Sequence, residues 1–276
     1  MDDEVRSAAV RPAASKPATA ARIYDYYLGG IHNFPADQEA ARQVIAHYPF
    51  IPAAARANRA FLQRAVQFLV SAGIRQFLDI GSGIPTEGNV HEIAQRAAAE
   101  SRIVYVDIDP VAVSESQQLL DGNRLATAIH GDLRRPEVVL AHPAVRDLLD
   151  FTQPIGLLLA AVLHFVPDDA QAYGAVATLR DGLAPGSYLV ASHSATETFL
   201  AFTQRNPPSE DVYRQRTATP GTVRNRDEVR RFFEGVELVD PGVTWADHWR
   251  PESDPASAAA MAAEGSGIWA GVGRKP

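Results

Sequence analysis

The stretch Phe77-Leu78-Asp79-Ile80-Gly81-Ser82-Gly83-Ile84-Pro85 decides the fold of this chain. An apolar strand, predicted at Gln76–Ile80, runs directly into a glycine turn, and a helix pattern follows the turn. A second apolar strand, predicted at Arg102–Asp107, also ends in an acidic residue. Strand, glycine turn, helix, strand and acid in this order are typical of a doubly wound α/β sheet that binds an adenosine-containing cofactor.

The details of the turn favour S-adenosylmethionine (SAM) over a dinucleotide. A dinucleotide fingerprint has a third glycine where this chain has Thr86. Asp79 precedes the first glycine by two residues, which suits a cation better than a pyrophosphate. We therefore expect the methionine part of SAM over the turn Gly81–Gly83, with its ammonium group near Asp79 and its ribose diol on Asp107. The other predicted cofactor contacts are Ser82, Ile108, Asp132, Leu133 and Ala160, with Asp132 accepting a hydrogen bond from the adenine amino group.

The composition of the chain argues against several classes of function. The chain has 276 residues, a net charge of −7 and no cysteine. Without a concentrated basic face we expect no nucleic-acid partner, and without cysteine there are no disulfides or thiolate nucleophiles. The histidines lack metal-ligand spacing, so no metal is expected. The longest apolar run, Ile155–Leu163, is far shorter than the ~20 residues that cross a bilayer. With an acidic N-terminus, these features predict a cytoplasmic protein with no membrane partner.

Apolar runs bounded by Gly, Pro and Asp predict seven strands. The first five alternate with helix patterns, as in a parallel sheet, and the last two are expected to pair antiparallel because no long helix pattern separates them. The predicted fold class is α/β, a Rossmann-like, mostly parallel seven-stranded sheet with an antiparallel C-terminal hairpin and an N-terminal helical extension. The predicted strands are Gln76–Ile80, Arg102–Asp107, Thr127–His130, Ile155–Leu163, Ser187–Ser192, Val236–Val239 and Ile268–Val272. The predicted helices are Asp37–His47, Ala53–Val70, Asn89–Ala99, Val111–Asp121 and Asp168–Leu183.

The sequence predicts three regions. Residues 1–18, rich in Ala and Pro, are expected to form a flexible tail. Residues 19–72 precede the first strand and are expected to form a helical cap or lid. Residues 73–276 are expected to form the SAM-binding domain, with a loop-rich insertion at 194–225 over the carboxyl edge of the sheet.

Several sequence blocks resemble one protein family. They are Ala21–Gly30 with Asn33–Pro35, Arg56–Leu62, Gln76–Thr86, Asn89–Glu92, Val104–Asp107, Gly186–Leu189 with Ser192-His193, and Phe232–Gly235. In this order they resemble the actinobacterial SAM-dependent methyltransferases long known only as a domain of unknown function. The resemblance covers nearly all of the chain after the tail and implies a class I Rossmann-like fold and SAM as cofactor, but it implies no substrate. One departure is His32, where members of that family often carry Asp.

Residues for the chemical step are harder to identify. No carboxylate or amide follows the fourth strand, where many methyltransferases hold an amine substrate. Two histidines fall at the carboxyl ends of strands, and an N-terminal aromatic block could either line the acceptor pocket or fill the core. The predicted catalytic residues are His164, His193, Tyr24 and Tyr27. The predicted substrate-binding residues are the same four together with Asn33.

The leading hypothesis is a SAM-dependent methyltransferase that acts on an unidentified small molecule. One alternative is a catalytically silent protein that binds SAM or S-adenosylhomocysteine (SAH) and regulates another process. The other is an NAD(P)-dependent oxidoreductase, disfavoured by Asp79 and Thr86.

Overall fold

The computed structural model describes residues 17–85, 88–205, 221–251 and 265–276 of the chain. Within these ranges strands and helices alternate as in an α/β fold. The strands are β1 (Gln76–Ile80), β2 (Arg102–Asp107), β3 (Ala126–His130), β4 (Gly156–Ala160), β5 (Tyr188–Ser194), β6 (Glu237–Leu238), β7 (Thr244–Trp245) and β8 (Ile268–Arg274). The helices are α1 (Ala20–Tyr27), α2 (Pro35–His47), α3 (Ile51–Ser71), α4 (Val90–Ala97), α5 (Pro110–Leu119), α6 (Pro136–Ala141), α7 (Pro143–Leu148), α8 (Asp169–Asp181), α9 (Thr196–Arg205) and α10 (Arg226–Arg231).

All of these strands belong to one mixed sheet. Its order is β3-β2-β1-β4-β5-β8-β6, and β7 also pairs with β8. The first five strands are parallel, whereas β8 runs antiparallel to β5, β6 and β7. The predicted α/β class with its antiparallel C-terminal pair is therefore confirmed. The two-residue strand β7 is an addition to the predicted seven.

Both faces of the sheet are covered by helices, which is why the central strand β4 is apolar throughout. Successive side chains of β1 point to opposite faces. Leu78 packs in a cluster with α8, whereas Phe77 packs in a second cluster with α3. The sheet is thus held between two apolar layers, and its polar chemistry is confined to the strand ends.

The predicted fourth strand is wrong at its carboxyl end. The strand stops at Ala160, because Ala161 has a φ of +54° and Leu163–Phe165 form a single 3₁₀ turn. The N–H of Ala161 donates to the Ser192 hydroxyl instead of continuing a strand ladder (2.9 Å). An apolar run therefore continues beyond the strand and forms a turn at the carboxyl edge.

Two predictions fall largely outside the described residues. These are the tail, except for Pro17 and Ala18, and the part of the 194–225 insertion at residues 206–220. The described end of that insertion contacts the turn after β4, since the Thr222 N–H donates to the His164 carbonyl (2.7 Å). Among the described residues no helix is both long and apolar enough to cross a membrane.

Candidate active site

A cavity of about 430 Å³ opens at the carboxyl ends of β1 to β4. In the sheet, β1 lies between β2 and β4, so the chain leaves β1 in one direction and later returns on its other side. Open α/β sheets bind their ligands at such a switch point. The glycine turn after β1 lines the cavity, as do the residues that follow β2, β3 and β4. On the opposite side the cavity is covered by α1 and α3.

The two glycines of the turn have different surroundings. Both have positive φ, +75° at Gly81 and +70° at Gly83. A Cβ added to Gly81 would lie 2.2 Å from a methyl carbon of Val162, so this glycine is required by protein packing alone. A Cβ added to Gly83 would meet no protein atom within 4 Å. Gly83 therefore borders open space where a ligand can approach the backbone.

Asp79 places a buried carboxylate beside this turn. It is 4% exposed and lines the cavity, and no described residue donates a hydrogen bond to its side chain. Burial raises its pKa from 3.8 to about 7; the Arg59 charge opposes that shift and the Asp107 charge adds to it. A buried carboxylate without donors is the complement of a cationic ligand group.

Asp107 is held by backbone groups on both sides. One carboxylate oxygen accepts the Gly83 N–H (2.7 Å) and the other accepts the Asp109 N–H (2.8 Å). Burial raises the pKa of Asp107, and these backbone hydrogen bonds oppose the shift. Each carboxylate oxygen keeps lone pairs for a further donor, and the residue lines the cavity. Asp109 caps α5 by accepting from the Val111 N–H (2.9 Å).

An apolar surface adjoins these acids. Ile108 is 51% exposed although it lines the cavity, and Leu133 lines the same region. Asp132 also lines it, with its carboxylate held by the Arg134 guanidinium at 2.7 to 3.0 Å. Burial raises the pKa of Asp132, but Arg134 outweighs burial and the net shift is downward. An exposed apolar face beside a carboxylate suits a flat heteroaromatic ring that carries an N–H donor.

A buried ion pair network connects α1 with the loop that carries Asp107. Arg22, 2% exposed, contacts Asp37 through Nε (2.9 Å) and Asp109 through Nη1 (3.0 Å). Both carboxylates are themselves buried. From the same helix, Tyr24 lines the cavity. These ion pairs therefore stabilise the position of α1 over the cavity and connect this helix to Asp109, two positions after Asp107.

Tyr27 and Asn33 lie away from the cavity. The Asn33 amide donates to the Asp25 carboxylate (2.7 Å) and to the Gly30 carbonyl (2.9 Å), which closes the turn after α1. Tyr27 packs beside a small apolar cluster of α1 and α2. Neither residue is among those that line the cavity. The geometry gives both a structural role, and it does not support the predicted substrate contacts.

The two histidines also fail to line the cavity. His193 is fully buried, with Nδ1 on the Ser194 carbonyl (2.9 Å) and Nε2 accepting from Arg224 (2.8 Å). Burial lowers its pKa well below 6.5, so the ring is neutral. Burial, followed by the Arg224 charge, lowers the pKa of His164 to about 4. Val162, Phe165 and Val166 of the same turn line the cavity and His164 does not, and the role of the two histidines in handling the substrate proton stays a prediction.

Asn58 and Arg59 are not among the site residues predicted from the sequence. Both line the cavity from α3. One signal was available: Asn58 occupies a buried position of this helix, between Ala54 and Leu62 on the apolar face. A polar side chain on an apolar helix face needs a buried partner, which marks it as a candidate site residue.

The comparisons with known proteins agree with this geometry. The model of a family described as S-adenosyl methyltransferase matches residues 7–276. A protein of the DUF574 family from Streptomyces avermitilis MA-4680 is 42% identical, with a TM-score of 0.85 over 94% of this chain and 98% of that one. A protein assigned as a methyltransferase in Thermobifida fusca YX is 38% identical, with a TM-score of 0.83 over 94% and 95% of the two chains. None of the curated proteins matches the chain.

Proposed function

The chain belongs to the S-adenosyl methyltransferase family and is a SAM-dependent methyltransferase, and we propose that SAM lies in the cavity along the ends of β1, β2 and β3. The prediction of SAM as cofactor is thereby confirmed. What remains to be proposed is the pose of the cofactor, the roles of single residues and the nature of the acceptor.

The observation that carries the pose is the buried Asp79 carboxylate, which no described residue satisfies. The ammonium group of the methionine part binds there, above the open face of Gly83. The ribose diol donates to Asp107. Because Asp79 pairs with Tyr105 in the sheet, Asp107 lies only two residues further along β2. The adenine ring lies on Ile108 and Leu133, with its amino group toward Asp132. The residues present fit SAM at each of its polar ends.

Arg59 provides a second charge for the methionine part. It lines the cavity with Asp79 and interacts electrostatically with that carboxylate. Its Nη2 donates to the Asn89 side chain (3.1 Å), which fixes the guanidinium beside the glycine turn. We propose that Arg59 binds the carboxylate of the cofactor while Asp79 binds its ammonium group. The ammonium and carboxylate groups of the methionine part would then each face a side chain of opposite charge.

Bound SAM supplies both the methyl group and its leaving group, so the protein mainly has to align the acceptor. Among the described carboxylates of the cavity, Asp109 is paired with Arg22 and Asp132 with Arg134. Asp79 and Asp107 are assigned to the cofactor. Tyr24 is protonated at neutral pH, since burial raises its pKa. We therefore propose that positioning, which can lower a barrier by about 7–11 kcal/mol, is the main contribution of these residues.

The acceptor side of the cavity is bounded by α1, α3 and the turn after β4. Leu62, Phe165 and Val166 form an apolar wall, and Tyr24 and Asn58 add polar groups. This combination is typical of small-molecule sites. The net charge of −7 supports the absence of a nucleic-acid partner. A cytoplasmic location stays a prediction.

Gly83→Ala tests whether the cofactor approaches the turn. An alanine at positive φ costs about 1–2 kcal/mol of stability wherever it is placed, but here its methyl group would also occupy the ligand space. We expect wild type to bind SAH and not NAD⁺ in calorimetry, and the variant to lose at least about tenfold in SAH affinity. Gly122→Ala is the matched control, since Gly122 has φ +79° and open space around its Cβ direction. Equal SAH affinity in the two variants would refute the assignment of the turn.

The cap formed by residues 19–72 is expected to respond to the cofactor. Thr19, Ala20 and Tyr24 cover the cavity, and Arg22 connects α1 to the ribose loop. Hydrogen exchange should therefore slow in α1 when SAH binds, because the ligand bridges the cap and the sheet. Helix α8 belongs to the apolar cluster on the other face and serves as the internal control. Unchanged exchange throughout α1 would mean that this helix is a fixed wall and not a lid.

A further inference from the structure

A chain of hydrogen bonds connects the two sides of the cavity. The Ala161 N–H donates to the Ser192 hydroxyl (2.9 Å), and that hydroxyl donates to the Asn58 side-chain oxygen (2.5 Å). The Asn58 amide nitrogen donates to the Tyr24 hydroxyl (2.9 Å), which donates to the Ala55 carbonyl (3.0 Å). This hydrogen-bond chain thus starts beside the proposed cofactor position, passes through β5, α3 and α1, and ends at a backbone carbonyl of α3.

The backbone groups at its ends set the direction of every bond. An amide N–H can only donate and a carbonyl can only accept. Ser192 therefore accepts from Ala161 and turns its own proton to Asn58, which presents its amide nitrogen to Tyr24. A change at either end reorients the groups between them.

The arrangement has a stability cost that a merely structural contact would avoid. Ser192 and Asn58 are 0% and 3% exposed, and burying polar groups contributes little net stability even when they are paired. Ala161 carries a side chain at φ +54°, which costs about 1–2 kcal/mol. Strained residues of this kind concentrate at functional sites. Both Ala161 and Tyr24 line the cavity.

We propose that Ser192 and Asn58 are positioning residues that couple the cap helix to the Ala160–Ala161 peptide beside the cofactor, an inference that rests on the proposed cofactor pose. The N–H of this trans peptide points to the Ser192 hydroxyl, so its carbonyl points in the opposite direction, and both Ala160 and Ala161 line the cavity. The orientation of that carbonyl thereby depends on the position of the Tyr24 hydroxyl. Movement of the cap over the cavity is thereby coupled to the orientation of the peptide beside the methionine part of the cofactor.

A double-mutant cycle on SAH affinity tests the coupling. The variants are Tyr24→Phe, Ser192→Ala and their combination, each measured by calorimetry and by thermal unfolding. The control is Ser187→Ala, because the buried Ser187 hydroxyl also accepts a backbone N–H between β4 and β5, from Ile155 (3.0 Å), at the opposite end of the strands.

We expect Ser192→Ala to weaken SAH binding about tenfold and Tyr24→Phe about fivefold. When Ser192 is already alanine, Tyr24→Phe should weaken SAH binding by less than about a further twofold, because the hydrogen-bond chain is already broken. Ser187→Ala should lower the unfolding temperature comparably, leave SAH affinity within about twofold, and leave the full effect of Tyr24→Phe in place.

Multiplicative losses for Tyr24→Phe and Ser192→Ala, or equal losses of SAH affinity for Ser187→Ala and Ser192→Ala, would overturn the proposal. Absence of SAH binding to wild type would instead overturn the cofactor pose. If Ser192→Ala does not fold, Asn58→Leu takes its place in the cycle. It keeps the approximate size but removes both the acceptor for Ser192 and the donor to Tyr24, and the same non-multiplicative result is expected.

Discussion

Asp79→Asn should weaken SAH binding at pH 8 by at least about tenfold and, in the absence of ligand, make the protein more stable. The two effects have one cause. Burial raises the pKa of Asp79 to about 7, so at pH 8 the free protein carries a buried charge that its fold does not satisfy. The shift from 3.8 to about 7 corresponds to a penalty of about 4 kcal/mol at most. The bound ammonium group relieves this penalty, and asparagine avoids it.

The pH dependence follows from the direction of that shift. Because the folded-state pKa lies above the unfolded value of 3.8, the folded protein holds more protons between pH 3.8 and about 7. Wild-type stability should therefore decrease relative to Asp79→Asn as pH rises through this window, and the difference should level off above it. SAH affinity of wild type should change in the opposite sense, decreasing from pH 8 to pH 6 as the carboxylate is protonated. His164, with a pKa of about 4, does not titrate between pH 6 and pH 8.

Denaturant unfolding at pH 5 and pH 8, with calorimetry at pH 6, 7 and 8, measures both effects. Asp121→Asn is the control, since Asp121 is exposed and distant from the cavity lining. It should leave stability and affinity unchanged. A wild-type affinity for SAH that does not change from pH 6 to pH 8 would show that the ammonium group does not bind Asp79. An Asp79→Asn variant that binds SAH normally at pH 8 would show the same.

Asp107→Ala should weaken SAH binding by about one to two orders of magnitude. One charge-assisted hydrogen bond from the ribose diol to the carboxylate is worth about 1.5–3 kcal/mol, which is the loss expected here. The substitution also releases the Gly83 and Asp109 N–H groups, which loosens the turn. Loosening would weaken every ligand of the turn, whereas loss of the ribose contact affects only ligands that carry the diol.

A ligand cycle separates these two causes. The 2′-deoxy analogue of SAH should bind wild type clearly more weakly than SAH does, and Asp107→Ala should bind both ligands almost equally. Asp150→Ala is the matched protein control. The Asp150 carboxylate accepts the N–H of Thr152, two positions later (2.9 Å), just as Asp107 accepts the N–H of Asp109. If Asp107→Ala still distinguishes SAH from the deoxy analogue as strongly as wild type, the ribose lies elsewhere.

Much of the fold could be predicted because its signals are local. The bounds of β1 follow from an apolar run that ends at the glycine turn, those of β2 from a run that ends at Asp107, and both agree with the structure. Two-residue strands such as β7 carry no such pattern. The short helices α6 and α7 each begin at a proline, and six residues show too little periodicity to identify. The end of β4 could not be read from its apolar run, because it depends on a hydrogen bond to Ser192, 31 residues away.

The site was predictable to the extent that strand order determines it. Parallel strands bring their carboxyl ends to one edge, which places the turn, Asp79 and Asp107 around one cavity. Which side chains at the strand ends line the cavity could not be predicted, because reaching a strand end does not decide where a side chain points. Ser192 and His193 are neighbours on β5, so their side chains alternate, and Ser192 contacts Asn58 while His193 contacts Arg224.

The most direct measurement is a crystal structure of the protein with SAH. We expect the ribose hydroxyls within hydrogen-bond distance of the Asp107 carboxylate and the ammonium group on Asp79, with the methionine part over Gly83 and its carboxylate toward Arg59. SAH bound with its ribose away from Asp107, or with its ammonium group remote from Asp79, would contradict the proposed arrangement of the site.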